Sequence, residues 1–172
     1  MKKIKAYLVG DTISTNDSEA FSLFKKSFFG NPIGEKIQYS FPESIFLTEG
    51  GKMEIFHKKK KIPKKDLIKI FQRTDKKINI KYPVFKDLRE RGYIVKTALK
   101  FGAEFRVYDK GEKPGKKHAK WVVFTDYESK RLTWHEFSAK NRVAHSTKKN
   151  LLLAIVDEEG DISYYEVKWI KP

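Results

Sequence analysis

The texture of the chain changes at Gly92. Beyond it, residues 93–100, 104–108 and 120–127 are rich in Val, Phe, Tyr and Trp, the side chains that suit a pleated, half-buried surface. Before it, apolar residues mostly recur at helical spacing. Asn16 or Asp17 can cap a helix carrying Ala20, Phe21, Phe24 and Phe28 on one face, with Gly30 as its stop. Residues 41–48 read as a second short helix, ended by Gly50-Gly51. Pro63 opens a third, with Leu67, Ile70 and Phe71 on one stripe. Residues 82–91 form a fourth, with Val84, Phe85 and Leu88 inward. Two strands, 4–9 and 53–56, complete the first half. The second half adds a helix over 134–143 and a closing hairpin of 151–156 and 162–169.

This pattern predicts an α+β (mixed α/β) chain of two small domains. The first, residues 1–83, pairs helices with an antiparallel sheet; the second, 84–172, carries a mixed sheet. A length of 172 residues is enough for two small cores.

The charge names a class of partner. Lys and Arg number 37 against 22 Asp and Glu, a net +15. Adaptation to heat enriches both signs together, whereas this surplus is one-sided. The natural partner of such a field is a polyanion, and nucleic acid fits best because each neutralised phosphate releases counterions. The chain has no cysteine, which excludes disulfide frameworks, thiolate metal sites and thiol nucleophiles. No apolar run approaches the roughly 20 residues of a membrane span, and the first ten residues lack signal-peptide features. The expectation is a cytoplasmic protein without membrane association. The run 58–61 of four lysines reads as a solvated turn.

The catalytic inventory is short. Of four histidines, His57 and His135 sit beside apolar residues and read as packing, and His145 as a helix terminus. His118 differs: it ends the Gly- and Pro-rich loop 109–118, among Lys116, Lys117 and Lys120. Imidazole titrates nearest neutrality of the side chains, so beside a phosphate it suits general acid work. Tyr108 ends the preceding strand, and Lys148-Lys149 lie where a helix gives way to a strand.

Three segments in order carry a resemblance: Lys96-Thr-Ala-Leu-Lys-Phe-Gly-Ala-Glu-Phe-Arg-Val-Tyr108, His118-Ala-Lys-Trp-Val-Val, and Arg142-Val-Ala-His-Ser-Thr-Lys-Lys149. Together they resemble the archaeal tRNA-splicing endonucleases, in the short form that assembles as a homotetramer. The motifs fall within residues 92–172, and the first half fits in length and element order. The resemblance implies that residues 84–172 are the catalytic domain and that precursor tRNA is cut at the bulges of a bulge–helix–bulge. It implies 2′,3′-cyclic phosphate and 5′-hydroxyl ends, with no metal or other cofactor. It makes Tyr108 the base, His118 the acid and Lys149 the cation that stabilises the phosphorane, with Lys148 an adjacent competitor. A free phenol titrates near 10, so two roles fit Tyr108: taking the 2′-hydroxyl proton, or only orienting that hydroxyl. Arg142 is implied to contact bulged bases. The acidic turn Asp157, Glu158, Glu159 and Asp161 is implied to enter a basic pocket of a neighbouring subunit. The apolar end, with Tyr164, Val167, Trp169 and Ile170, is implied to pair subunits into a dimer of dimers.

Two other readings compete. Glu128-Ser-Lys130 has the form used by metal-dependent DNA nucleases. A non-catalytic RNA-binding protein would explain the charge without chemistry.

Overall fold

The computed structural model describes residues 2–172. It is a mixed α/β structure with two sheets. The chain divides into two compact units, the first ending at Tyr82 and the second beginning at Pro83.

The first unit contains β1 (Ile4–Val9), β2 (Thr12–Thr15), α1 (Ser18–Ser27), β3 (Asn31–Ile33), β4 (Lys36–Tyr39), α2 (Phe41–Glu49), β5 (Met53–His57), β6 (Lys60–Lys61) and α3 (Leu67–Phe71). The strand order is β3-β4-β2-β1-β5-β6. The sheet is antiparallel except at β1–β5, which run parallel; the chain between them supplies the long crossover that a parallel pair needs. Ile4, Ala6 and Leu8 of β1 point into the core and their neighbours point out. The sequence pattern missed β2, β3 and β4 because each is four residues or fewer, and β3 is exposed throughout.

Asp17 caps α1, its carboxylate accepting from Glu19 N at 3.2 Å. The expected stop at Gly30 is corrected: α1 ends at Phe28, which adopts φ 59° and donates its N–H to Phe24 O. Gly30 serves a different purpose. With φ +74°, it lies where a Cβ would strike the side chains of Ile37 and Tyr39, and its N–H donates to the buried Glu43 carboxylate at 2.9 Å. Glu43 also closes a capping box with Ser40 at the start of α2. Lys64–Asp66 form a 3₁₀ turn where the sequence suggested the start of a helix, so α3 is a single short piece.

In the second unit the sheet order is β11-β10-β9-β8-β7, with β7 (Ile94–Ala98), β8 (Ala103–Tyr108), β9 (Trp121–Tyr127), β10 (Asn150–Val156) and β11 (Ile162–Val167). Helix α4 (Ile78–Glu90) spans the division between the units and α5 (Trp134–Ser146) joins β9 to β10. The expected start at residue 82 is corrected: α4 begins at Ile78, and Pro83, which lacks a backbone donor, lies inside the helix. Thr133 and Glu136 form a capping box for α5. Ala144 of α5 packs into an apolar cluster with Val122, Phe124 and Leu151 of the central strands. Strands β9 and β10 are parallel and the remaining pairs antiparallel. The last strand stops at Val167, so Trp169 and Ile170 lie beyond it rather than within it. Among the described residues no helix is long and apolar enough to cross a membrane.

Candidate active site

The strand directions bring three distant points of the sequence to one edge of the second sheet. Strand β8 runs antiparallel to β9, so the end of β8 meets the start of β9. Strand β10 runs parallel to β9, so its start lies on the same edge. Val107 is in register with Trp121, and Trp121 with Asn150. Backbone hydrogen bonds extend that row outward, from Lys120 N to Val107 O and from Asn150 N to Lys120 O, both 2.9 Å. Tyr108, the loop carrying His118, and Lys149 emerge side by side as a consequence. All three line one cavity of about 330 Å³, together with Phe101, Arg106, Lys116 and Lys117. Tyr108 is buried at 5% exposure, whereas His118 is exposed.

Lys149 is delivered by a turn. Lys148 adopts φ 54°, and Lys149 N bonds back to Ala144 O at 2.9 Å, so the chain leaves α5 and reverses into β10. Lys149 Nζ donates to Thr147 O at 2.7 Å and stands 5.4 Å from the centre of the Phe101 ring. Its pKa is lowered from 10.5, first by burial and then by the charge of Arg106. Lys148 is exposed and does not line the cavity.

Arg106 was not singled out in the sequence. It lies two residues before Tyr108 on β8 and so shares its face of the strand. Its Nε is buried and has no hydrogen-bond partner among the described residues. A buried charged donor left unmatched costs about 1–3 kcal/mol or more. The residue as a whole is only part-buried and lines the cavity, so its guanidinium adds positive charge there. The period-2 spacing from a candidate catalytic tyrosine is the sequence signal that would have found it.

The loop bearing His118 is closed at its base. Lys120 Nζ donates to Asp109 Oδ2 at 2.7 Å, and Asp109 also accepts from Lys110 N. The Lys120 hydrogen bond is the main reason that the Asp109 carboxyl is held below the usual carboxylate range and the Lys120 ammonium above its own. Lys120 also lies 4.4 Å over the Trp121 ring.

The other expected residues are elsewhere. Arg142 is exposed on α5 and lines a separate cavity of about 300 Å³ with Trp169 and His145, whose rings are 4.6 Å apart. Asp157, Glu158, Glu159 and Asp161 form the β10–β11 turn. Asp157 Oδ1 accepts from Glu159 N and Asp161 N, both 2.9 Å, so this carboxylate shapes its own turn. Glu158, Glu159 and Asp161 are exposed. The Tyr164 hydroxyl donates to Asp87 at 2.7 Å, and its pKa is raised, mainly by burial. Lys130 of the Glu128-Ser-Lys130 segment is engaged with Asp126 at 2.7 Å.

Comparison with known proteins follows the same division of the chain. Residues 78–164 match the family model described as tRNA intron endonuclease, catalytic C-terminal domain. Residues 4–68 match that of the tRNA intron endonuclease N-terminal domain. The tRNA-splicing endonuclease of Pyrococcus horikoshii is 43% identical over 171 residues, covering 99% of this chain and 98% of its own length. That of Thermococcus kodakarensis is 40% identical over 166 residues, covering 96% and 97%. That of Nanoarchaeum equitans is 41% identical over 136 residues, covering 76% and 87%.

Proposed function

This chain belongs to the tRNA intron endonuclease family, and from that membership we propose that it excises introns from precursor tRNA by cutting at the bulges of a bulge–helix–bulge. The second unit is the catalytic domain in this reading. RNA carries its own nucleophile, the 2′-hydroxyl beside the scissile phosphate. The 2′-oxygen forms a bond to phosphorus, the bond to the 5′-oxygen breaks, and the products are a 2′,3′-cyclic phosphate and a 5′-hydroxyl. Tyr108 removes or orients the 2′-hydroxyl proton. His118 gives a proton to the departing 5′-oxygen. Lys149 and Arg106 stabilise the crowded, more negative phosphorane. No cofactor takes part in these steps.

The observation that carries this reading is the single cavity shared by Tyr108, His118 and Lys149, with Arg106 also in its lining. Arg142 lies apart from that cavity, with Trp169 beside it. A guanidinium plane next to an aromatic ring suits an extruded base. Substrate choice then depends on the spacing of two active sites, which a homotetramer built as a dimer of dimers supplies. The exposed acidic turn selects partner and register through charge.

The test is a bulge–helix–bulge RNA with purified protein in excess EDTA, followed by analysis of the product ends. Cleavage at both bulges with cyclic phosphate ends is expected. Binding without cutting would leave an RNA-binding protein, and 3′-hydroxyl ends would remove the internal nucleophile.

A further inference from the structure

A second cavity, of about 530 Å³, lies wholly within the first unit, where the reaction chemistry places nothing. Its floor is apolar: Phe41, half-buried and stacked on Phe71 with ring centres 4.4 Å apart, with Ile62 and Pro63. Its rim is cationic, carrying Lys58, Lys60 and Arg73, all exposed, and none has an ion-pair partner among the described residues. Lys61 is also at the rim, but its ammonium is already held by Glu54 at 2.7 Å. No carboxylate lines the cavity.

Two further features belong to the same rim. His57 Nδ1 donates to Leu8 O at 3.1 Å, which fixes the ring and leaves Nε2 for another partner. The two-residue turn between β5 and β6 is Lys58-Lys59, at φ 45° and 65°. Such turns favour Asn-Gly, because L side chains resist the left-handed region. Two lysines hold these positions in spite of that resistance, and Lys58 ends up at the rim beside an apolar floor.

We infer that this cavity is an accessory RNA site, taking one unpaired nucleotide of the substrate with its base on the Phe41–Ile62–Pro63 floor and its phosphates on Lys58, Lys60 and Arg73. The combination of cations for phosphate and an apolar, aromatic surface for a base is the usual chemistry of single-stranded RNA binding. An acidic protein segment would satisfy the rim but leave the floor without a matching surface. The inference rests on the proposed RNA substrate, and it extends recognition to the unit that does no chemistry.

The experiment uses the full chain and a bulge–helix–bulge precursor bearing 4-thiouridine at unpaired positions. Photocrosslinks are expected in the segment 57–74. The triple variant Lys58→Gln, Lys60→Gln, Arg73→Gln should raise KM about tenfold with kcat within twofold. It should also flatten the log–log salt dependence of binding by about 2, at roughly 0.7 per lost phosphate contact. A control, Lys25→Gln, Lys26→Gln, Lys36→Gln, removes the same charge from exposed positions on the same unit, outside the cavity lining. Equal effects in the two variants would overturn the site in favour of diffuse charge. A change in oligomeric mass of the first variant with unchanged RNA affinity would make the cavity a subunit contact and overturn it too. A wild-type protein that binds the RNA but never cuts it removes the proposed function while the crosslinks still report on this cavity. One that cuts without any crosslink in 57–74 removes the site alone.

Discussion

At the residue scale, the site's behaviour turns on protons and one misplaced charge. His118 is exposed, on a loop anchored by the Asp109–Lys120 pair, so its removal leaves the core intact. Replacing His118 with Ala should slow single-turnover cleavage by about 10²–10⁴-fold with RNA affinity nearly unchanged, the usual contribution of a general acid. Equal rates for variant and parent would remove His118 from the mechanism. Lys149 gives a pH prediction. Burial and Arg106 both oppose its charged form, so its folded-state pKa lies below 10.5. Between the folded and unfolded pKa values the unfolded chain binds more protons, so this group makes stability rise with pH in that window. Activity moves the other way, because the deprotonated amine cannot stabilise the phosphorane. Because a general acid at His118 must also keep its proton, a rate profile mixes the two groups, and Lys149 is best followed directly: its ammonium, read by NMR titration, should lose its proton below 10.5. Arg106→Gln should lower the rate and raise that titration point, since only the burial contribution remains. A titration point that does not move would remove Arg106 as a cause.

At the element scale, local signals decided where helices begin, and packing decided where several of them end. The capping boxes at Ser40/Glu43 and Thr133/Glu136 fix the starts of α2 and α5. The end of α1 falls on Phe28, not on the nearby glycine, because Gly30 is needed for close approach to β4. Replacing Gly30 with Ala combines a left-handed φ with a clash against Ile37 and Tyr39. The expected loss is about 3 kcal/mol, or roughly 6–12 °C in Tm, read by thermal unfolding. A variant as stable as the parent would show that β4 yields to a methyl group. Lys148 carries the corresponding strain in the second unit, and there the left-handed turn places the next residue in the cavity.

At the scale of the whole molecule, assembly is the remaining proposal. Strand β11 is the outer strand of its sheet, and Trp169 is 61% exposed just beyond it. Changing Asp157→Asn, Glu158→Gln, Glu159→Gln and Asp161→Asn together keeps the hydrogen-bond acceptor that Asp157 uses in its own turn while removing the charge. Light scattering should show a tetramer for the parent and dimers for this variant, and a variant that keeps the parent's mass would take the turn out of assembly. The sequence by itself determined the two-part mixed α/β plan, because helical and period-2 spacings are local. It also determined the ordered segments around Tyr108, His118 and Lys149, because residue identity and spacing survive without coordinates. Only the tertiary structure decided that β9 and β10 run parallel, which puts those three residues on one edge. It alone showed the Arg106 Nε buried without a hydrogen-bond partner, and it alone gathered Lys58, Lys60, Lys61 and Phe41 around one cavity. Strand direction and burial follow from contacts between segments far apart in the chain, and no local pattern encodes them.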